Sequence, residues 1–238
     1  MTKLLLLLFS GLKFGKIFTT GGTMLISVVA YAFIFGWGYA VGFVALMFVH
    51  EMGHYFAARH RGLNVGAPTF IPFLGAWIEL KDQPHSAETE AFVGLGGPLI
   101  GTVGALVVYF LARSYDSTLL LAVAYSGFFL NLFNMIPLSP FDGGRITAVL
   151  SPRIWLVGAP LLVALFLWRP SPMILLIVVF AFPSIVSAWR GTWREHVPDG
   201  YYEQPVAVKV KYGALYLGLA GFLAAMSHEV HGMLGTLR

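Results

Sequence analysis

The sequence contains no cysteine in 238 residues, and only 11% of its positions carry Asp, Glu, Lys or Arg, against about 25% in ordinary soluble domains. The first absence excludes disulfides, thiolate zinc sites and cysteine nucleophiles, so a metal here is held by nitrogen and oxygen alone. The second excludes an ordinary soluble enzyme, because so few charges cannot cover a globule of this length. Also missing are internal repeats, low-complexity tracts and any linker to a second soluble domain. In their place stand 58% apolar and aromatic residues, and the bilayer is the solvent they imply. The formal charge of +4 is read as loop topology in a chain this apolar, and no nucleic-acid partner is expected.

Residues 1–22 look briefly like a signal peptide, with Lys3 ahead of the run Leu4 to Phe9. That run is too short and is followed by Lys13 and Lys16, so an amphipathic interfacial segment is expected. Seven apolar stretches follow, near Met24 to Phe35, Tyr39 to Ala58, Ala91 to Ala112, Ser117 to Ile136, Ile154 to Trp168, Pro172 to Ala188 and Tyr212 to Met233. The first falls short: from Gly21 it reaches ~24 Å at 1.5 Å per residue, against a hydrocarbon core of ~30 Å. The fold expected is an all-α polytopic membrane protein of about six to seven transmembrane helices. Basic residues concentrate in cytoplasmic loops. With seven crossings and a cytoplasmic N-terminus, twelve of the fifteen fall inside and only Arg113, Arg169 and Arg238 outside.

The longest polar interval, Gly62 to Glu90, contains a tract in which Ala76, Ile78 and Leu80 alternate with Trp77, Glu79 and Lys81. Period two predicts a strand, and Pro72 confines its partner to an edge, so a small β-hairpin is expected at the cytoplasmic membrane face. Pro205 suits the first turn of a helix running through Lys209 and Lys211 into the last span.

His50-Glu51-Met52-Gly53-His54 is an HExxH pattern. On a helix it sets two imidazoles at i and i+4 on one face with a carboxylate beside them, which suits zinc. The chain's own composition supplies such a match by chance ~0.006 times. Both histidines sit inside an apolar span, where ionisable groups are costly and usually functional. Catalytic zinc takes three protein ligands and keeps a position for water. The candidates for the third are Asp142 and the group His228, Glu229 and His231. Asp142 is the stronger, because it follows Pro137 and Pro140, which break a helix, and precedes Gly143 and Gly144, which permit close backbone approach. Broken backbone at membrane depth is tolerated where it lines a wet cavity.

HEMGH on one span and Asn134-x-x-Pro137-x-x-Pro140-x-Asp142-Gly-Gly on a later one together resemble the site-2 protease family of intramembrane zinc metalloproteases. The resemblance covers Met24 to Leu150, and Gly96-Gly97-Pro98 is similar to the family's small-residue motif. It implies one zinc per chain held by His50, His54 and Asp142, with Glu51 as general base and Asn134 positioning substrate. It also implies a three-helix catalytic core made by the second, third and fourth spans. The organisation expected is thus 1–22 interfacial segment, 23–150 catalytic core and 151–238 additional C-terminal helices. Phe141 stands where the family more often has Leu, and no stretch leaves room for a PDZ or CBS domain, so a minimal form is expected. The function implied is hydrolysis of peptide bonds within or near transmembrane segments of a protein or peptide substrate. The split of basic residues sets the site towards the cytoplasm, and the resemblance implies a bacterial inner membrane. The rival is a non-proteolytic membrane protein, a transporter or inactive relative that binds metal or transmembrane clients.

Other features are assigned simpler roles. His228, Glu229 and His231 form an HExH spacing at the end of the last span and are read as an interfacial polar end. Gly97, Gly101 and Gly104 are expected to serve helix packing. Asn131, one turn before Asn134, shares that residue's face or makes a buried interhelical hydrogen bond. His60, His85 and His196 fall in predicted loops and carry no signal.

Overall fold

The computed structural model describes residues 20–73, 75–168, 170–195 and 197–236. Nearly all of the interfacial segment expected at 1–22 therefore lies outside the described residues. Helix α1 spans Thr20–Phe35 and α2 Trp37–His60. Strands β1, Thr69–Ile71, and β2, Gly75–Trp77, follow, then α3, Ala87–Ser114, and α4, Thr118–Asn134. The short α5, Asp142–Ala148, leads through a 3-10 turn to α6, Trp155–Trp168, α7, Pro172–Arg190, and α8, Val206–Thr236.

Each of the seven apolar stretches falls in a helix. Three of these, α2, α3 and α8, are long and apolar enough to cross a bilayer, while α1, α4, α6 and α7 are shorter apolar helices. The ends follow local chemistry. Ser86 and Ser117 cap α3 and α4 by accepting from Thr89 N and Leu120 N, and Glu88 and Glu90 face the positive end of the α3 dipole. Gly36, at φ 86°, divides α1 from α2 in a conformation that other residues resist. The last helix begins directly after Pro205 and carries Lys209 and Lys211, as expected.

The hairpin departs from expectation in two ways. Its strand covers only Gly75–Trp77 of the alternating tract, paired antiparallel as Thr69 with Trp77 and Ile71 with Gly75, and Leu80 adds an isolated bridge to Val65. Pro72 lies in the turn rather than in a strand, where its missing N–H costs no ladder bond. The hairpin also lies along a helix. Thr20 Oγ1 donates to Pro68 O at 2.7 Å, Phe70 N donates to Thr23 Oγ1 at 3.3 Å, and Phe73 N donates to the Tyr31 hydroxyl at 3.1 Å. From Thr20 to Tyr31 is about 16 Å of helix, so the hairpin runs the length of α1.

Helices α2, α3 and α4 form the centre. Gly53 and Gly96 bring α2 and α3 into backbone contact, since a Cβ on either would collide with the other chain segment. Of the three glycines expected to serve packing, Gly104 meets Val49 and Leu46, but Gly97 makes room for the His54 ring and Gly101 for the Asn131 amide. Helix α8 covers α3 and α4 with Tyr212, Leu223 and Val230. The loop before it is anchored by Tyr201, whose carbonyl accepts from Ala87 N at 3.0 Å and whose hydroxyl donates to Glu90 Oε2 at 2.7 Å. Burial, with the Glu90 charge behind it, holds the Tyr201 hydroxyl well above its ordinary titration range and pushes Tyr202 up to about 12. The α6–α7 pair packs separately, through Leu162 and Ala181, onto Ile136, Leu138 and Phe141 of the α4–α5 connection.

Candidate metal centre and active site

The i, i+4 spacing on α2 brings the His50 and His54 rings together on one face, their centroids 4.9 Å apart. Asp142 arrives from the opposite side at the first residue of α5. It is delivered by a non-helical stretch after Asn134 that folds on itself, with Leu138 N donating to Ile136 O at 2.8 Å and Phe141 N to Leu138 O at 2.9 Å. Gly143 and Gly144 press against the backbone of Met135, Ile136, Leu138 and Ser139, leaving no space for a Cβ at either. Tyr216 from α8 and Trp155 at the start of α6 pin this turn, donating to Met135 O at 2.6 Å and to Gly144 O at 2.9 Å.

The three side chains converge as an almost equilateral triangle. His50 Nε2 to His54 Nε2, His50 Nε2 to Asp142 Oδ2, and His54 Nε2 to Asp142 Oδ2 all measure 3.2 Å. Ligand atoms at ~2.0–2.1 Å on a tetrahedral zinc lie ~3.3–3.4 Å apart. The donor set, two imidazoles and a carboxylate oxygen, thus fits one face of a zinc tetrahedron in chemistry and in size. All three residues are under 10% exposed, and they are the one group of three potential metal ligands among the described residues.

The remote ring nitrogens are occupied. His54 Nδ1 lies 2.8 Å from Val93 O on α3, and His50 Nδ1 lies 2.8 Å from Asn131 Oδ1 on α4. A carbonyl can only accept, so in each ring Nδ1 donates and Nε2 is the nitrogen that faces the triangle. Of the two expectations for Asn131, the interhelical hydrogen bond is the one observed. Arg145, one turn after Asp142, stands 3.9 Å from Asp142 Oδ1 and 3.8 Å from Glu90 Oε1.

Beside the triangle opens a cavity of about 670 Å³, within the range of small-ligand and peptide sites. Glu51, 6% exposed, lies on its wall, and no side chain among the described residues pairs with it. Asn134 also lines the cavity, its Nδ2 donating back to Leu130 O at 3.1 Å. Across from α2 the walls are apolar: Tyr31 of α1, Ala76 and Ile78 of the hairpin, Phe133 of α4, and Leu176 and Phe180 of α7. His228, Glu229 and His231 are exposed on α8 and join no metal-binding group, although the His231 ring lies 5.3 Å from that of Tyr125.

Sequence reasoning reached every corner of the triangle but not its supports. Asn131 was visible as one of two amides in an apolar helix, with nothing to say which residue it faces. The Val93 carbonyl has no sequence signature at all. Arg145 was visible only as a cation three residues beyond Asp142.

A family model described as peptidase family M50 matches residues 38–118, the stretch that holds His50, Glu51 and His54. A zinc metalloprotease of Methanocaldococcus jannaschii is 30% identical over 124 residues, 48% of this chain and 36% of that protein. The chain therefore matches only about a third of that relative's length. A second protein of the same organism, also bearing a zinc-metalloprotease name, is 32% identical over 170 residues, 58% of this chain and 87% of its own. Among solved structures, a site-2 protease from M. jannaschii superposes with a TM-score of 0.46 at 20% identity, over 70% of this chain and 85% of that one. With a relative of that identity matched over most of its length, and with the M50 model on the helices that carry HEMGH, the chain belongs to the site-2 protease family of peptidase family M50.

Proposed function

We propose that the protein is an intramembrane zinc metalloprotease that hydrolyses peptide bonds within or near transmembrane segments of membrane-protein substrates. The observation that carries this reading is the 3.2 Å triangle of His50, His54 and Asp142, set among apolar helices with Glu51 beside it on a cavity wall. These three side chains would hold one zinc per chain, which would supply Lewis acidity to a water and a peptide carbonyl. Glu51, unpaired and facing the cavity, takes the proton of the attacking water and returns it to the leaving amide nitrogen. Asn134 positions the substrate from the cavity wall, and the apolar lining accepts its side chains.

A peptide bond inside an intact helix is hidden in its own hydrogen bonds, so the substrate enters as an unwound segment. The free edge of β2, which contributes Gly75 and Ala76 to the cavity, offers it a backbone partner. The chain crosses a bacterial inner membrane about six to seven times, with its N-terminus in the cytoplasm and the site towards that face. Residues 23–150 form the catalytic core, and 151–238 add the C-terminal helices.

The decisive experiment is zinc content of the detergent-purified protein beside His54→Ala, Asp142→Ala and Glu51→Gln, followed by cleavage of a single-span test substrate in liposomes. One zinc per chain is expected in the wild type and in Glu51→Gln, and none in the other two. Cleavage is expected to fall by at least ~10²–10⁴-fold in Glu51→Gln. Folded wild-type protein without zinc overturns the reading in favour of a non-proteolytic relative, and undiminished cleavage by Glu51→Gln overturns Glu51 as the base.

A further inference from the structure

The metal triangle is supported from behind by a residue that has no role in the reading above. Asn131 lies on α4 and is 1% exposed, in a helix that is otherwise almost wholly apolar between Thr118 and Asn134. A buried amide in such a setting persists only with its donors and acceptor engaged. Its orientation is fixed by its own helix: Nδ2 donates to Gly127 O at 2.7 Å, which a carbonyl oxygen at that position could not do. The opposite end of the amide is therefore oxygen, and that oxygen stands 2.8 Å from His50 Nδ1.

The space for this contact comes from a third helix. Gly101 of α3 lies directly behind the amide, and a Cβ there would collide with Asn131 Oδ1. Three helices thus meet at one hydrogen bond: α3 leaves the gap, α4 fills it with an acceptor, and α2 presents the ring. The two histidines are held by different means. His54 is held by a backbone carbonyl, at Val93, which no side-chain substitution removes. His50 depends on one replaceable amide.

We propose that Asn131 is a positioning residue of the metal centre: its carbonyl accepts the Nδ1 proton of His50 and so fixes the ring with Nε2, unprotonated, turned towards His54 and Asp142. The proposal rests on the zinc reading of that triangle and deepens it. An imidazole whose remote nitrogen is bonded to an acceptor is locked in tautomer and orientation and is the more basic ligand, and loss of such partners in metal sites costs about 10–100-fold in affinity. A bare interhelical tie, by contrast, holds α4 to α2 whether or not metal is bound.

The test is zinc affinity of the purified full chain, measured by competition with a chromophoric chelator, in Asn131→Leu, Asn131→Asp and Asn131→Ala. Leu keeps the branched shape and removes the acceptor, Asp keeps the acceptor towards His50 but gives up the donation to Gly127 O, and Ala removes the acceptor without filling the space beside Gly101. Affinity is expected to fall by about 10–100-fold in the Leu and Ala variants and to be retained in the Asp variant. Thermal unfolding of the zinc-free proteins is measured in parallel. Wild-type zinc affinity in folded Asn131→Leu or Asn131→Ala overturns the proposal, and so does a loss of zinc-free stability with affinity unchanged, the signature of a structural tie. Should Leu fail to fold, Ala gives the same reading. Tight zinc binding by the wild type with no response to Asn131 removes this inference and leaves the protease reading standing, whereas a wild type that binds no zinc removes both.

Discussion

The α2–α5 block and the α6–α7 pair are both built from apolar helices, yet they differ in what holds them together. In the block, glycines bring helices to within backbone contact, and four of these close approaches serve a polar group. Gly97 admits the His54 ring, Gly101 admits the Asn131 amide, and Gly143 and Gly144 let the turn carrying Asp142 press on the chain before it. In the pair, one glycine, Gly158 of α6, comes up against the Pro137 backbone, and the rest of the packing is side chain on side chain. Leu162 and Ala181 pack on Phe141 and its neighbours, while Val179, Phe180 and Phe182 stay exposed on α7. Lipid is as apolar as leucine, so helices in a membrane gain little from burying leucine against each other. Backbone proximity and buried hydrogen bonds therefore make the precise half of the molecule, and side-chain packing makes the adaptable half that closes the cavity.

The largest expected effect breaks the comparison on its precise side. Gly97→Ala adds one methyl where the His54 ring stands and is expected to abolish tight zinc binding, with a cost of about 1–3 kcal/mol from overpacking. Zinc titration and thermal unfolding of the purified variant measure both, and wild-type zinc affinity would show that the block is as forgiving as the pair.

Removing bulk from the other side is expected to do less. Leu162→Ala hollows the α6–α7 contact with Leu138 and Phe141. Its cost is about 1–3 kcal/mol, below the ~2–5 kcal/mol of a soluble core because lipid is the alternative environment and only the packing component is lost. Zinc affinity should not change, while cleavage should, since α7 lines the cavity through Leu176 and Phe180. A matching loss of zinc would erase the distinction between the two regions.

The smallest effect concerns the loop that joins them to α8. Tyr201→Phe deletes the hydroxyl bond to Glu90 and is expected to cost about 1 kcal/mol, seen as faster hydrogen exchange in residues 197–205. The same tie predicts a direction with pH. The folded hydroxyl titrates above its ordinary value of 10.0, so the unfolded chain loses this proton first. The stabilisation is complete below pH 10 and declines as pH rises from there towards the folded value. Hydrogen exchange in the loop should thus accelerate in alkali in the wild type and respond less in Tyr201→Phe.

Legibility followed the range over which each signal acts. HEMGH places its three side chains by helical periodicity alone, so His50, Glu51 and His54 were readable from spacing. Asp142 was readable because prolines and glycines announce a break in an apolar run. The seven apolar stretches foretold the seven apolar helices, and short α5 went unseen because seven residues carry too little periodicity. The hairpin was anticipated, but not its course along α1, which depends on hydroxyls of Thr20, Thr23 and Tyr31 meeting backbone groups some forty residues or more away. Gly101 was expected to serve packing because a missing side chain says nothing about what fills the space.

Composition and periodicity by themselves determined the solvent, the helices and the chemistry of the donors, because hydropathy and helical phase are properties of residues close in sequence. Only the tertiary structure decided that the triangle closes at 3.2 Å, that Asn131 rather than Asn134 meets a histidine, and that the hairpin and α7 complete the cavity. Those outcomes depend on how closely separate helices approach. That approach is set by glycines and buried amides acting across 30 to 90 residues of chain, a range at which sequence pattern carries no phase.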